Sequence, residues 1–80
     1  MSDTEDKVRA IVTRILRCPE DVLTPTCTWK EVKADSLDLV QIVIATEDAF
    51  SIEIPDTDAE KFRNYGDFVD YVEGRVAAKS

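Results

Sequence analysis

Eighty residues with a net charge of −7 predict one small domain, residues 1–80, whose surface repels nucleic-acid backbones and anionic membranes. An apolar content of 44% suffices for a folded core and argues against wholesale disorder, yet a core this small leaves little room for a deep enclosed active site. The chain has no histidine, which removes the commonest general base and the commonest metal ligand.

The first helix is expected from about Asp3 to Arg17. Ser2-Asp3-Thr4-Glu5 has the form of a capping box, and Val8, Ile11, Val12 and Ile15 share one face at i, i+3, i+4, i+7 spacing. Pro19 closes the segment soon after Cys18. Residues 18–34 form a long connection in which Val22, Leu23, Trp29 and Val32 are expected to fold back as plugs over the core, with Trp29 as a packing anchor.

The second helix is expected over Ser36–Phe50, with Asp35 as N-cap and Asp38 near its third position, at the positive end of the helix dipole. It carries two apolar stripes: Leu39, Ile42, Val43 and Phe50 form one, and Leu37, Val40 and Ile44 the other. Either both are buried between neighbours, or one stays near the surface as a docking stripe ringed by acids. Ile52 and Ile54 read as inward plugs of a loop, in a pattern too short for a strand. A short third helix is expected from Pro55 through Phe62. A fourth runs from about Tyr65 to Val76, with Asn64 as N-cap, Asp67 completing an approximate capping box, and Phe68, Val69, Val72 and Val76 on its buried face. Gly66 and Gly74 are expected to weaken it by about 1 kcal/mol each, and the tail beyond residue 76 to fray.

From Ala34 to Glu60 there is no lysine or arginine, while Asp35, Asp38, Glu47, Asp48, Glu53, Asp56, Asp58 and Glu60 all fall there. Acids that serve solubility alone are usually interspersed with bases, so a one-signed surface favours a cationic protein partner. Asp56-Thr57-Asp58-Ala59-Glu60 begins like a calcium loop, but Lys61 replaces the required glycine and Asp67 stands where a bidentate glutamate belongs, so an EF-hand is excluded and no dedicated metal site is expected, which leaves only loose divalent-cation binding to the clustered carboxylates as an alternative. Cys18 and Cys27 form no CxxC pair and no zinc set; they could bridge, and the simpler reading is two reduced, small apolar residues. The chain is not expected to be an enzyme, since Ser36 has no histidine to activate it and two glycines cannot build a phosphate loop. With no signal peptide and no apolar run near the ~18 residues of a membrane span, the expected setting is cytoplasmic.

Ala34-Asp35-Ser36-Leu37-Asp38-Leu39-Val40, in register with Ala45, Glu47-Asp48-Ala49-Phe50 and Ile52-Glu53-Ile54-Pro55-Asp56, resembles the acyl carrier proteins over essentially the whole chain. The resemblance implies an all-α, four-helix bundle of acyl-carrier type, with a short third helix and a long loop between the first two. It also implies a monomer that carries 4′-phosphopantetheine on Ser36, placed there from coenzyme A by a phosphopantetheinyl transferase using Mg²⁺, with Asp35, Leu37 and Asp38 around the attachment point. The arm would shuttle acyl thioesters between acyl-transferring or acyl-synthesising enzymes with basic docking patches. Leu37, Val40, Gln41, Ile44, Glu47, Asp48, Glu53 and Asp56 match the family's docking positions, and Val43, Thr46, Phe50, Ile54 and Phe62 would line a space for the acyl chain. Several positions depart from the common pattern. Lys33 stands where glycine is common, Gln41 where an acid is common, Trp29 and Lys30 in a loop that is often acidic, Thr46 where an apolar residue is common, and Phe62 where a smaller one is. These departures point to a dedicated carrier in lipid or polyketide biosynthesis rather than to bulk fatty acid synthesis. A stand-alone aminoacyl or peptidyl carrier and an unmodified acidic adaptor are the alternatives.

Overall fold

The amphipathic spacing of Val8, Ile11 and Val12 folds as anticipated. In the computed structural model, which describes residues 3–79, helix α1 (Asp3–Leu16) buries these three side chains. The capping-box serine, Ser2, lies outside the described residues. The helix stops two residues short of Cys18, because Arg17 turns into the left-handed region at φ 55 before Pro19 is reached. Helix α2 (Ser36–Phe50), the single turn α3 (Asp56–Ala59) and α4 (Tyr65–Lys79) complete the four helices, and α1 packs against both α2 and α4. Val8, Val12, Leu23, Trp29, Ile42, Ile52, Ile54, Tyr65, Phe68, Val69 and Val72 form one buried cluster. No helix is long and apolar enough to cross a membrane, among the described residues.

The connection from α1 to α2 is ordered by its own hydrogen bonds. A 3₁₀ turn (Glu20–Val22) opens it, and the Arg9 guanidinium on α1 donates to the carbonyls of Glu20 at 2.9 Å and Leu23 at 3.1 Å, stitching loop to helix. Arg9 also ion-pairs with Glu5 and lies 5.4 Å over the Tyr65 ring. Leu23 and Trp29 plug the core and Val32 is half-buried, but Val22 does not join them: on the 3₁₀ turn it is 41% exposed, facing away from its neighbour Leu23. The Ala34 N–H donates to the Trp29 carbonyl at 2.9 Å, so the buried indole holds in place the residues that lead directly into α2. Lys33 has φ 59, a left-handed conformation that glycine adopts freely and a lysine adopts with strain. That conformation accounts for the glycine common at this position in the resembled family.

Both glycines lie in α4, and their surroundings differ. Gly66 donates its N–H to the Pro25 carbonyl at 3.1 Å, and a Cβ added there would sit 2.4 Å from that same oxygen. Beside it the Tyr65 N–H donates to the Cys27 carbonyl at 2.8 Å, and Thr28 and Asn64 form an isolated antiparallel bridge. Gly66 is therefore a close-approach residue that docks the long loop on α4, and its cost in helix propensity is offset by that docking. A Cβ at Gly74 meets nothing within 4 Å. Gly66→Ala is expected to destabilise the protein by about 1–3 kcal/mol through overpacking, whereas Gly74→Ala raises stability by up to about 1 kcal/mol. Urea unfolding of the two variants checks the opposite signs; equal effects would refute the distinction.

At its start α4 follows expectation in part. The Asn64 side chain accepts the Asp67 N–H at 2.8 Å, but the Asp67 carboxylate takes the N–H of Arg63, at 3.3 Å, and not that of Asn64. The tail does not fray at Val76; helix continues through Lys79, because Ala77 and Ala78 are strong helix formers.

Candidate functional site

Asp35-Ser36-Leu37-Asp38 builds a helix start from its own side chains. Asp35 is the N-cap in extended conformation (φ −97, ψ −177), and its carboxylate accepts the Asp38 N–H at 2.9 Å. The Asp38 carboxylate reaches back to accept the Asp35 N–H at 3.3 Å, closing a reciprocal capping box. Ser36, the first helical residue, is exposed, and the backbone N–H groups of Ser36 and Leu37 have no acceptor among the described residues. A hydroxyl thus stands at the positive end of a 15-residue helix beside two uncommitted donors. This is the arrangement that stabilises a phosphodiester, by the helix dipole and by direct N–H donation. The residues present fit a phosphate-linked prosthetic group.

Of the two apolar stripes on α2, one turns inward and the other outward. Ile42 is buried, with Leu39, Val43 and Phe50 half-buried against the core, while Leu37, Val40 and Ile44 are 64%, 52% and 58% exposed. Asp35, Gln41, Asp48, Glu53 and Asp56 are also exposed, and Asp38 and Glu47 are partly so. The ion pairs among the described residues join Arg9 to Glu5 and Asp58 to Lys61 and Arg75, so none of them involves Asp35, Asp38, Asp48, Glu53 or Asp56. Glu47 has an internal task as well: its carboxylate accepts the Ile54 N–H at 2.9 Å, clasping the loop after α2 onto the helix.

Behind the exposed stripe lies an apolar cavity of about 210 Å³, between α2, α3 and Trp29. Val43, Ile54 and Phe62 line it, as expected of a chain-binding space, together with Ala59 and Phe68. Thr46 and Phe50 do not. Thr46 is fully buried and its hydroxyl donates to the Ile42 carbonyl at 2.8 Å, satisfying itself within α2, and Phe50 lies beneath the Lys7 ammonium, 5.9 Å from its ring centroid. Trp29 and Phe68 line the cavity unanticipated, because they come from the loop and from α4, far from α2 in sequence.

The third helix is shorter than expected: Pro55 is its N-cap, and Lys61 and Phe62 lie beyond its one turn. A turn this short is held from outside. The Tyr71 hydroxyl donates to Asp58 at 2.7 Å, Arg75 Nε donates to the Tyr71 oxygen at 2.9 Å, and Phe62 packs edge-on against Phe68 and Tyr71 at 5.2 and 5.1 Å. The Tyr71 hydrogen bond, with Lys61 and Arg75 nearby, holds the Asp58 carboxyl below its ordinary value of 3.8. Since the folded value is the lower one, the cluster's contribution is fully present above pH about 4 and drains away as pH falls through the folded value. Asp58→Asn should therefore flatten the loss of stability between neutral pH and pH about 3, measured by urea unfolding at both; an unchanged pH slope would contradict it.

Cys18 and Cys27 are free thiols, Cys27 buried with its pKa raised by that burial. No cluster of three or more potential metal ligands occurs among the described residues.

A family model described as a phosphopantetheine attachment site matches residues 6–72. Among solved structures, the holo acyl carrier protein of Geobacter metallireducens is similar with a TM-score of 0.84 at 25% identity, covering 98% of this chain and 91% of that one. The match spans α1, the long loop, α2, α3 and most of α4, so it takes in the capped serine, the outward stripe and the cavity together. The chain belongs to the phosphopantetheine attachment family, and is a non-catalytic carrier of covalently bound 4′-phosphopantetheine.

Proposed function

We propose that this chain is an acyl carrier protein that bears its prosthetic arm on Ser36 and serves one dedicated set of enzymes in lipid or polyketide biosynthesis, in the cytoplasm and as a monomeric single domain. The observation that carries the reading is the exposed Ser36 hydroxyl opening a helix whose N-cap is locked by Asp35 and Asp38. Attachment needs a hydroxyl that is displayed yet fixed, so that a transferase can reach it and a long arm can then swing free. When bound, the arm supplies a terminal thiol on which acyl groups are held as thioesters. The chain's part is to orient the hydroxyl, to offer the N–H groups of Ser36 and Leu37 to the phosphodiester, and to dock partners through Leu37, Val40 and Ile44. The carboxylates around that stripe, of Asp35, Asp38, Glu47, Asp48, Glu53 and Asp56, steer basic surfaces toward it. Val43, Ile54 and Phe62 receive the acyl chain.

The test is intact mass spectrometry after incubation with coenzyme A, Mg²⁺ and a promiscuous transferase, followed by hydroxylamine release of the cargo from protein isolated from its cells. A phosphopantetheine increment and an acyl hydroxamate are expected. An aminoacyl hydroxamate would assign the chain to aminoacyl or peptidyl carriers, and the absence of any increment would leave an unmodified adaptor.

A further inference from the structure

Four aromatic rings stand in one row along the inner side of the cavity. Trp29 meets Phe68 at 6.0 Å, Phe68 meets Phe62 at 5.2 Å, and Phe62 meets Tyr71 at 5.1 Å, each pair edge-on. Edge-to-face contact is the arrangement that ring quadrupoles favour. The first three residues line the cavity, and Tyr71 braces them from outside it. Phe68 is 1% exposed, whereas Val40 and Ile44, which line the cavity from α2, are more than half exposed. The cavity therefore opens at α2 and closes against the rings. Val40 lies four residues beyond Ser36, about 6 Å along the helix axis.

The row is anchored at its Tyr71 end. The Tyr71 hydroxyl donates to Asp58 at 2.7 Å, Arg75 donates to the Tyr71 oxygen at 2.9 Å and pairs with Asp58 at 3.4 Å, and Lys61, the residue before Phe62, pairs with Asp58 at 3.6 Å. Tyr71 and Arg75 belong to α4 and Asp58 to α3, so one cluster fixes both the brace and the segment that carries Phe62. Phe62 and Phe68 each have a ring on both flanks, and neither can turn aside to lengthen the cavity without losing those contacts.

Resting on the carrier reading above, we infer that the braced aromatic row is a length stop, that Phe62 is the residue that sets it, and that the chain is built for short acyl groups of up to roughly eight carbons. The length follows from the volume. An apolar cavity of about 150 Å³ takes the six carbons of benzene, so one of about 210 Å³ takes roughly eight at the same packing. Phe62 sets the limit because it is half-buried beyond the single turn of α3, where a smaller side chain would leave open space, whereas Phe68 and Trp29 belong to the buried core. A longer chain leaves its end in water, and the methylenes outside the cavity add nothing to stability.

The protein is loaded by a promiscuous transferase with hexanoyl, octanoyl or dodecanoyl coenzyme A, loading is read by intact mass, and each product is unfolded in urea. Each methylene that enters the cavity should raise the folding equilibrium constant by about 4-fold. Octanoyl is therefore expected to exceed hexanoyl, and dodecanoyl to stand level with octanoyl. In Phe62→Ala, dodecanoyl should exceed octanoyl by at least about 4-fold, the gain of one methylene. Phe62→Leu should shift the same way, and it serves if Phe62→Ala folds poorly. Failure to load any cargo overturns the carrier reading and this inference with it. Normal loading overturns this inference alone if dodecanoyl exceeds octanoyl in the unaltered chain, if all three cargoes give equal stability, or if dodecanoyl gains nothing in the Phe62 variants. The comparison of cargoes on the unaltered chain needs no variant at all.

Discussion

Ser36→Ala is expected to abolish the phosphopantetheine increment completely while leaving the fold intact. The loss is total because the linkage needs an oxygen at that position and alanine offers none. The fold survives because Ser36 is exposed at the first position of α2 and the cap belongs to Asp35 and Asp38, so neither capping bond involves the serine side chain. Alanine is also the better helix former, and stability should stay within about 0.5 kcal/mol of the original. Asp35→Ala separates the two roles from the other side. It keeps the hydroxyl but removes the cap, costing about 0.5–2 kcal/mol, and it removes one of the charges proposed to recruit the transferase. It should slow modification without preventing it. Intact mass and urea unfolding, measured on both variants, distinguish a lost nucleophile from a loosened helix start.

The second large effect concerns partners. Leu37 and Ile44 together truncated to alanine should reduce the rate at which a cognate acyl-transferring enzyme uses the loaded carrier by about 5- to 30-fold for each side chain, if each contributes as a central interface residue does. Their exposure of 64% and 58% means that this loss comes with almost no loss of stability. Core truncations behave in the opposite manner: Ile42→Ala, at 1% exposure on the inward stripe, costs about 2–5 kcal/mol. Kinetics with the partner enzyme, set beside urea unfolding of the same variants, would reveal a destabilised Leu37/Ile44 double variant if the outward stripe were ordinary core.

What could be read in advance was local. Asp35 and Asp38 are three residues apart, and a capping box is satisfied entirely within that span, so α2's start was legible from residue types alone. The two stripes of α2 were legible as periodicity, but which of them faces outward is decided by α1 and the long loop packing on the Ile42 side. Val22 misled because an apolar residue in a loop has no period to orient it, and a 3₁₀ turn faced it outward. The boundaries of the apolar cavity were the least legible. Thr46 and Phe50 follow α2's inward side yet are diverted by a hydroxyl bond to Ile42 and by Lys7 of α1, while Trp29 and Phe68 arrive from other elements. Arg9, Gly66 and the Asp58–Tyr71–Arg75 cluster act across 11 to 41 residues of chain or through backbone approach, and such contacts leave no periodic trace.

One line of the fold's long-range stitching leads to the start of α2. Arg9 and Gly66 hold the loop, the loop holds Trp29, and the Trp29 carbonyl takes the N–H of Ala34, one residue before the cap. The most direct measurement is tandem mass spectrometry of the protein isolated from the cells that make it, mapping any phosphopantetheine to a residue. The expected result is the whole increment on Ser36. An increment on Ser51, on a cysteine, or on no residue at all would contradict the account.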